Sequence, residues 1–517
     1  MIASLDQFLF RTTDLALTVF GAPTDSQVWW PCGSQAPWGF GYVGKVTRRF
    51  LLKRVAATAI VAPAIIFGSR IRAALPTLPD LPSSDALLLR PGDAHFDDYQ
   101  LAWNIRTILT PQLRALCKTS RSAGVMIDWC RSNNLPFALR SGGHCFEGLS
   151  QSSSVVIDTR QINQIKVDPA TKTVTVGAGA SLGDVYRRVA PLQLALPAGS
   201  CPTIGISGHV LGGGCGSLAR VFGLACDNLL SIELIDPQGH QIRADARQNS
   251  DLFWACRGGG GGSFGAATAF CLQLHDVPKL FVFGIYWPDL APSRAAKVMK
   301  DWQTWAPQAP HSIYAPLQMG RHASGRIYLY CFGYSVGSIQ QLRRELRILS
   351  TSPEIASKSF LQAVNYFVGN SIDTSAQTKV KSDVNSPLSD DGLSTLMNEV
   401  SQKSGITILC EPYGGAIAST ASDATAFPHR GDRLISFMYV SKWINLEDTQ
   451  QRLKDMRDLY AAMRPYMSGR AYVNYCDLDL INWQSAYWGQ NLTRLKQVKS
   501  AFDPDNVFQH AQSVPLA

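Results

Sequence analysis

The chain has 517 residues, 46% hydrophobic and 17% charged, which is too long for one simple core and too apolar for a disordered chain. Its net charge of +9 is concentrated at the start. Residues 1–76 carry eight Lys or Arg against three Asp or Glu, leaving 40 against 36 for the rest, so no polyanion-binding surface and no nucleic-acid partner are expected.

Taken in chain order, the first feature is an export pattern. Arg48-Arg49-Phe50-Leu51-Leu52-Lys53 precedes about 14 apolar residues ending at Gly68, then the small pair Ala73-Ala74, as in a signal peptide. The apolar run falls short of the roughly 20 residues that span a membrane. The paired arginines resemble a bacterial twin-arginine signal over 47–74. That implies export, to the periplasm or beyond, of a folded and cofactor-loaded protein, with no stable membrane span once the signal is cleaved. Residues 1–46 are read as the result of a start codon set too far upstream, with Val43 or Val46 as the alternative. Residues 1–76 are therefore set apart as extension and signal.

Beyond them the texture mixes strands and helices. Val155–Asp158 and Thr173–Val176 read as strands, the second leading through Gly177-Ala178-Gly179-Ala180 to a helix at Leu182–Val189. Leu229–Ile235 reads as a strand closed by the turn Asp236-Pro237-Gln238-Gly239, and Arg343–Leu349 and Leu446–Met463 read as helices. Pro278 and Pro288 mark a boundary between two domains. The twelve cysteines include no CxxC pair and no regular spacing, so most are expected as buried small side chains, with no metal site.

Four glycine-rich clusters follow one another. Arg140-Ser141-Gly142-Gly143-His144 comes directly after the apolar Phe137–Leu139, and Gly199–His209 contains Cys201, Gly205 and Gly208. Gly212–Gly216 leads toward Asp227-Asn228, and Arg257 precedes Gly258–Gly262. Bare backbone lets N–H groups approach a phosphate closely, so the four together point to an extended phosphate-bearing cofactor. Gly261-Gly262-Ser263-Phe264-Gly265 also fits the GxSxG hydrolase pattern, but five successive glycines suit a cradle better than a nucleophile elbow.

This order resembles the berberine bridge enzyme-like branch of the vanillyl-alcohol oxidase flavoprotein superfamily, over roughly residues 85–515. In the C-terminal half the resemblance is carried by Lys379-Val380-Lys381-Ser382, Pro412-Tyr413-Gly414-Gly415, Ala426–Arg430, Tyr472–Asp477 and Phe502–Phe508. It implies an α+β fold: a two-subdomain FAD-binding domain over 85–275 and a substrate domain over 276–475, built on an antiparallel sheet covered by helices. A segment over 476–517 is expected to return to the FAD domain.

The resemblance also implies FAD, held by Arg140, Ser141, Gly142, Gly143, Gly205, Gly208, His209, Asp227, Asn228, Gly261, Gly262 and Asn506. It implies two covalent attachments, from His144 to the flavin 8α-methyl carbon and from Cys201 to C6. Imidazole and thiolate are both nucleophiles suited to an electrophilic flavin. Two tethers should raise the reduction potential. His209 is expected to stabilise charge at the N1–C2=O edge. Tyr475 occupies the catalytic tyrosine or histidine position, with Tyr413 and Arg430 shaping the site. The glutamate base of some relatives falls, by an unaligned count, at Met438, which accepts no proton. That points to a tyrosine-based mechanism, or to chemistry other than berberine bridge formation. A tyrosinate, with a reference pKa of about 10, requires a cationic or hydrogen-bonding neighbour. Ile204 stands where a valine accompanies fast reaction with oxygen, implying a sluggish oxidase served by oxygen or another electron acceptor.

The function expected is oxidation of a C–OH group in a small-molecule sugar or alcohol, by hydride transfer to flavin N5. Two alternatives stand beside it. One is an amine or aromatic secondary-metabolite oxidase, oxidative cyclisation included; the other is a flavin-carrying binding protein without turnover.

Overall fold

The structure is a computed structural model that describes residues 75–517 apart from 101, 278 and 369–375. The expected signal at 47–74, and the extension before it, lie outside the described residues.

The first sheet is built from β1 (Ala86–Leu89), β2 (Leu113–Cys117), β3 (Phe137–Arg140) and β4 (Val155–Asp158), in the order β1-β2-β4-β3. β2 and β3 both run parallel to β4, while β1 is antiparallel to β2. Every residue of β2 and β4 is buried, as expected of parallel strands covered on both faces. The helix Ser120–Ser132 links β2 to β3 and starts at a capping box in which Thr119 and Ser122 satisfy each other's backbone N–H.

The second sheet holds β5 (Ile165–Asp168), β6 (Thr173–Gly177), β8 (Leu229–Ile235), β9 (Gln241–Asp245) and β10 (Ala266–Gln273), all antiparallel, in the order β5-β6-β10-β8-β9. The short β7 (Leu194–Ala195) and β11 (His275–Asp276) pair apart from it. After β6 the helix Leu182–Val189 begins at a Ser181–Asp184 capping box and puts Leu182, Val185 and Val189 into the core that also holds Val174 and Val176.

The third sheet comprises β12 (Leu280–Leu290), β13 (Ile313–Tyr314), β14 (Leu317–Arg321), β15 (Ile327–Ser335), β16 (Glu354–Lys358), β17 (Gln377–Asn385), β18 (Ile406–Pro412) and β19 (Ile435–Trp443). Its order is β16-β12-β15-β14-β18-β19-β17, with β13 beside β15. Alternation gives it two unlike faces. Ile285, Leu317, Met319, Leu329, Ile408, Cys410 and Phe437 share one core with the helices Pro292–Trp305, Asp390–Gln402 and Thr449–Met463. Trp302, fully buried there, donates its ring N–H to the Ala315 carbonyl at 2.7 Å. Truncating such a side chain costs about 3–5 kcal/mol. On the opposite face the register aligns Ser382, Met438, Leu409, Gln318, Tyr330 and Tyr286 in one row across six strands.

The architecture is α+β. Two helix boundaries differ from expectation. The helix expected at Arg343–Leu349 is Ile339–Leu346, because Ser338 caps it by accepting the Gln341 N–H and its core-facing residues are Leu342 and Leu346. The helix expected from Leu446 begins instead with a 3-10 turn, Leu446–Asp448, before Thr449–Met463. At the C-terminus the buried Lys499 ammonium donates to the carbonyls of Ser263 and Phe508 and pairs with Asp503, fixing the helix Leu492–Phe502 against the end of the fourth glycine cluster.

Candidate active site

The glycines divide into two groups. A Cβ at Gly142 would stand 2.2 Å from the Gly205 nitrogen, and one at Gly205 would stand 2.5 Å from Ser141 Oγ. These two glycines let the loops that carry His144 and Cys201 touch each other, a role in packing rather than in phosphate approach. Gly143, at φ +70°, sits against the Arg140 guanidinium. Space opens elsewhere: a Cβ at Gly208 meets nothing within 4 Å, and those at Gly261 and Gly262 meet nothing closer than 3.6 Å.

His144 stacks on Trp103, with ring centroids 5.5 Å apart, and Lys442 covers the Trp103 face at 4.7 Å. The imidazole is hydrogen-bonded to the Thr203 backbone, which brings it beside the Cys201 loop. Burial, with Arg140 and Lys442 nearby, pushes its pKa down to about 4, so the ring is neutral at pH 7. Cys201 is partly exposed, its Sγ 3.5 Å from Thr203 Oγ1. His209 is also pushed down to about 4 by burial. Its Nε2 accepts the Gly199 N–H at 2.9 Å, which leaves Nδ1 to carry the proton and donate.

Other expected contacts are engaged within the fold. Arg140 is buried beside Asp158, which also pairs with Arg114 and Arg160, and Ser141 Oγ donates to the Ala178 carbonyl at 2.7 Å. Asp227, expected at a ribose, is clamped by both terminal nitrogens of Arg430 at 2.8 and 2.7 Å. That clamp gives Arg430, a candidate for shaping the site, a structural role. Asn228 donates to the carbonyls of Phe222 and Leu224 and meets His275 at 2.6 Å. Asn506 occupies a left-handed turn position at φ 52°, and its buried Oδ1 has no partner among the described residues. Ser263 is buried with its Oγ accepting the Val514 N–H, so it is no exposed hydrolase nucleophile.

Tyr475 meets a buried ionisable residue that sequence reasoning missed. Glu411, buried in β18, accepts the Tyr314 hydroxyl at 2.6 Å and the Tyr475 hydroxyl at 3.0 Å. Met438, the position reached by that count, pairs with Leu409, beside the Glu411–Ser436 pair, on the same face. A single carboxylate in the run Ile406–Pro412, uncharged at every other position, was the available signal. Burial raises the Glu411 pKa, although the two phenol donors pull it back. Burial and then the Glu411 charge push Tyr475 well above the usual phenol range. The Tyr475 hydroxyl thus donates to a carboxyl group, a hydrogen-bonding neighbour that disfavours a tyrosinate. Tyr475 lies edge-on to Tyr472 at 4.9 Å and to Phe146 at 6.3 Å. Tyr413 is fully buried against Phe427 with its carbonyl held by Arg220, which makes it a wall.

A buried ionic network braces this region. Lys379 bridges Glu147 at 2.7 Å and Asp477 at 2.6 Å, and Lys381 meets the other Asp477 oxygen at 2.6 Å. Burial alone would lower the Lys379 pKa, but Asp477 and Glu147 reverse that and raise it.

Residues 111–245 match the family model for an FAD binding domain, and residues 471–515 match the berberine and berberine-like model. An uncharacterised FAD-linked oxidoreductase of Bacillus subtilis is 31% identical over 438 residues, covering 82% of this chain and 95% of its own. The chain belongs to the berberine bridge enzyme-like FAD-linked oxidoreductases. A monolignol oxidoreductase of Arabidopsis thaliana from the same family is 32% identical over 425 residues, 74% of this chain and 79% of that one. Berberine bridge enzyme-like protein 1 of Physcomitrella patens superposes with a TM-score of 0.77 at 29% identity, over 84% of this chain and 97% of the moss protein. The berberine bridge enzyme of Eschscholzia californica gives 0.77 at 27% identity, over 83% and 97%. As a berberine bridge enzyme-like protein the chain is an FAD-dependent oxidoreductase. The open backbone at Gly208, Gly261 and Gly262, and the unpartnered Asn506 Oδ1, fit the binding of FAD.

Proposed function

We propose that this oxidoreductase acts on an alcohol, with Glu411 taking the O–H proton as the adjacent C–H gives up a hydride. FAD, when bound, supplies the two-electron acceptor. The observation that carries the reading is Glu411 itself: a buried carboxylate with one oxygen aimed by Tyr314 and the other by Tyr475. A base whose proton affinity is raised by burial, yet kept ionisable by two donors, suits abstraction of an alcohol proton near neutral pH. Tyr475 orients that carboxylate and stays protonated.

On the same sheet face, Tyr286, Tyr330, Phe332, Leu409 and Met438 are exposed or half-buried, while the helix-covered face is sealed. That row offers flat apolar contact and favours an aromatic alcohol over a free sugar. The relation to a monolignol oxidoreductase is in keeping with this choice. Neutral His144 and partly exposed Cys201, on touching loops, support two covalent tethers. Residues 47–74 support export, and Ile204 supports an acceptor other than oxygen.

The deciding experiment exposes purified holoprotein, without oxygen, to aryl alcohols, sugars and amines and follows loss of visible flavin absorbance. Aryl alcohols should bleach it. Bleaching by amines alone would remove the role given to Glu411, and bleaching by no member of the panel would favour a binding protein.

A further inference from the structure

We infer that Cys145 and Cys476 form a reversible disulfide, a redox cross-link beside the candidate active site. The two Sγ atoms lie 3.7 Å apart, although 331 residues separate them in sequence. A disulfide has an S–S length of about 2.05 Å, so closure needs an approach of roughly 1.7 Å, within reach of small side-chain rotations. The backbone on either side is already docked. Two residues beyond Cys145, Glu147 accepts from the Lys379 ammonium, which also pairs with Asp477, the residue after Cys476.

Cys145 differs chemically from the thiols of the apolar core. Cys117 and Cys130 are pushed up to about 12 by burial in apolar core. Cys145 instead receives the Leu149 N–H at 3.2 Å and belongs to a partly exposed residue. The neighbouring Cys476 thiol, with these backbone donors, lowers the Cys145 pKa despite burial, while Cys476 is raised by acting as donor. One thiolate and one thiol in contact are the starting state for disulfide chemistry.

The oxidant is a hydroperoxide, small enough to reach a half-buried sulfur. The Cys145 thiolate attacks a peroxide oxygen; an S–O bond forms, the O–O bond breaks, and the released alkoxide or hydroxide takes a proton. Cys476 sulfur then attacks the resulting sulfenic acid, forming S–S and expelling hydroxide, which leaves as water with the Cys476 proton. The two sulfurs lose two electrons in total, and the peroxide gains them. The bond would join the residue after His144 to the residue after Tyr475, and so fix the Phe146–Tyr475 contact.

The test uses reduced wild-type holoprotein, treated with hydrogen peroxide, alkylated and mapped by mass spectrometry. The expected product is a peptide linking Cys145 to Cys476, lighter by two hydrogens and restored by dithiothreitol. Its formation should raise the melting temperature of wild type but not of Cys145→Ser. In Cys476→Ser, dimedone should trap a sulfenic acid at Cys145. Alkylation of both residues after peroxide, or a bridge from Cys145 to a different cysteine, would overturn the inference without any variant having to fold.

Discussion

Replacing Glu411 by Gln keeps size and shape but removes the charge that accepts both phenol hydrogens. Stability and activity should then part company. Each hydrogen bond to the carboxylate is worth about 1.5–3 kcal/mol, but burying the charge costs a similar amount, so the melting temperature should change little. Loss of a general base lowers the rate about 10²- to 10⁴-fold, or roughly 3–5 kcal/mol of barrier. The assay is single-turnover bleaching of the flavin without oxygen, by whichever alcohol reacts with the wild type, as a function of pH. Activity requires the ionised carboxylate, and its pKa in the folded protein is raised by burial. The rate should accordingly fall as pH drops through a value above the usual carboxylate range. Tyr475→Phe removes one of two donors that hold this pKa down, so the acid limb should move further up. Wild-type bleaching rates in Glu411→Gln, or an acid limb that moves down in Tyr475→Phe, would refute the assignment.

Four further outcomes are expected. Flavin should stay with acid-precipitated wild-type protein and with His144→Ala or Cys201→Ala, and be lost from the double variant; free flavin from the wild type would remove both tethers. Asp477→Asn weakens the pairing of Lys379 and Lys381, both only 3% exposed, while Glu147 and Asp479 remain as partners, and should cost about 1.5–3 kcal/mol in denaturant unfolding. Asp383 is pushed up to about 6 by burial, against the pull of Arg464. The stability it contributes is present below the ordinary carboxylate pKa and lost as pH rises through about 6, a swing of roughly 3 kcal/mol that Asp383→Asn should abolish in unfolding curves taken across that range. Ile204→Val should speed reoxidation by oxygen in stopped flow, and an unchanged rate would return Ile204 to ordinary packing.

Local signals served well where one stretch of chain contains the whole reason for its structure. Val155–Asp158 and Leu182–Val189 match their expected ranges because period and capping are written side by side, Ser181 three residues before Asp184. The helix begins at Ile339 because its cap, Ser338, lies five residues before the arginine-rich stretch that starts at Arg343. Site residues fared according to the same rule. The glycine clusters and His144 announce themselves in sequence, but which glycines pack loops and which leave room depends on contacts across the fold. Glu411 was hidden because cross-strand register, not local spacing, sets it beside Met438 on one face of the sheet. The clamp on Asp227 comes from Arg430, 203 residues away, and no local pattern announces it.

The contact between Gly142 and Gly205 acts as a spacing gauge. With no side chain at either position, two loops from different sheets close to backbone distance, and the span from His144 to Cys201 is set by the folded chain alone. A ligand that must meet both residues then finds them already gathered, and the entropy of assembling them is charged to folding rather than to binding. Alanine at Gly142 would widen the gauge and leave both side chains in place. Two intact reactive side chains would remain, at the wrong separation for a single ring system.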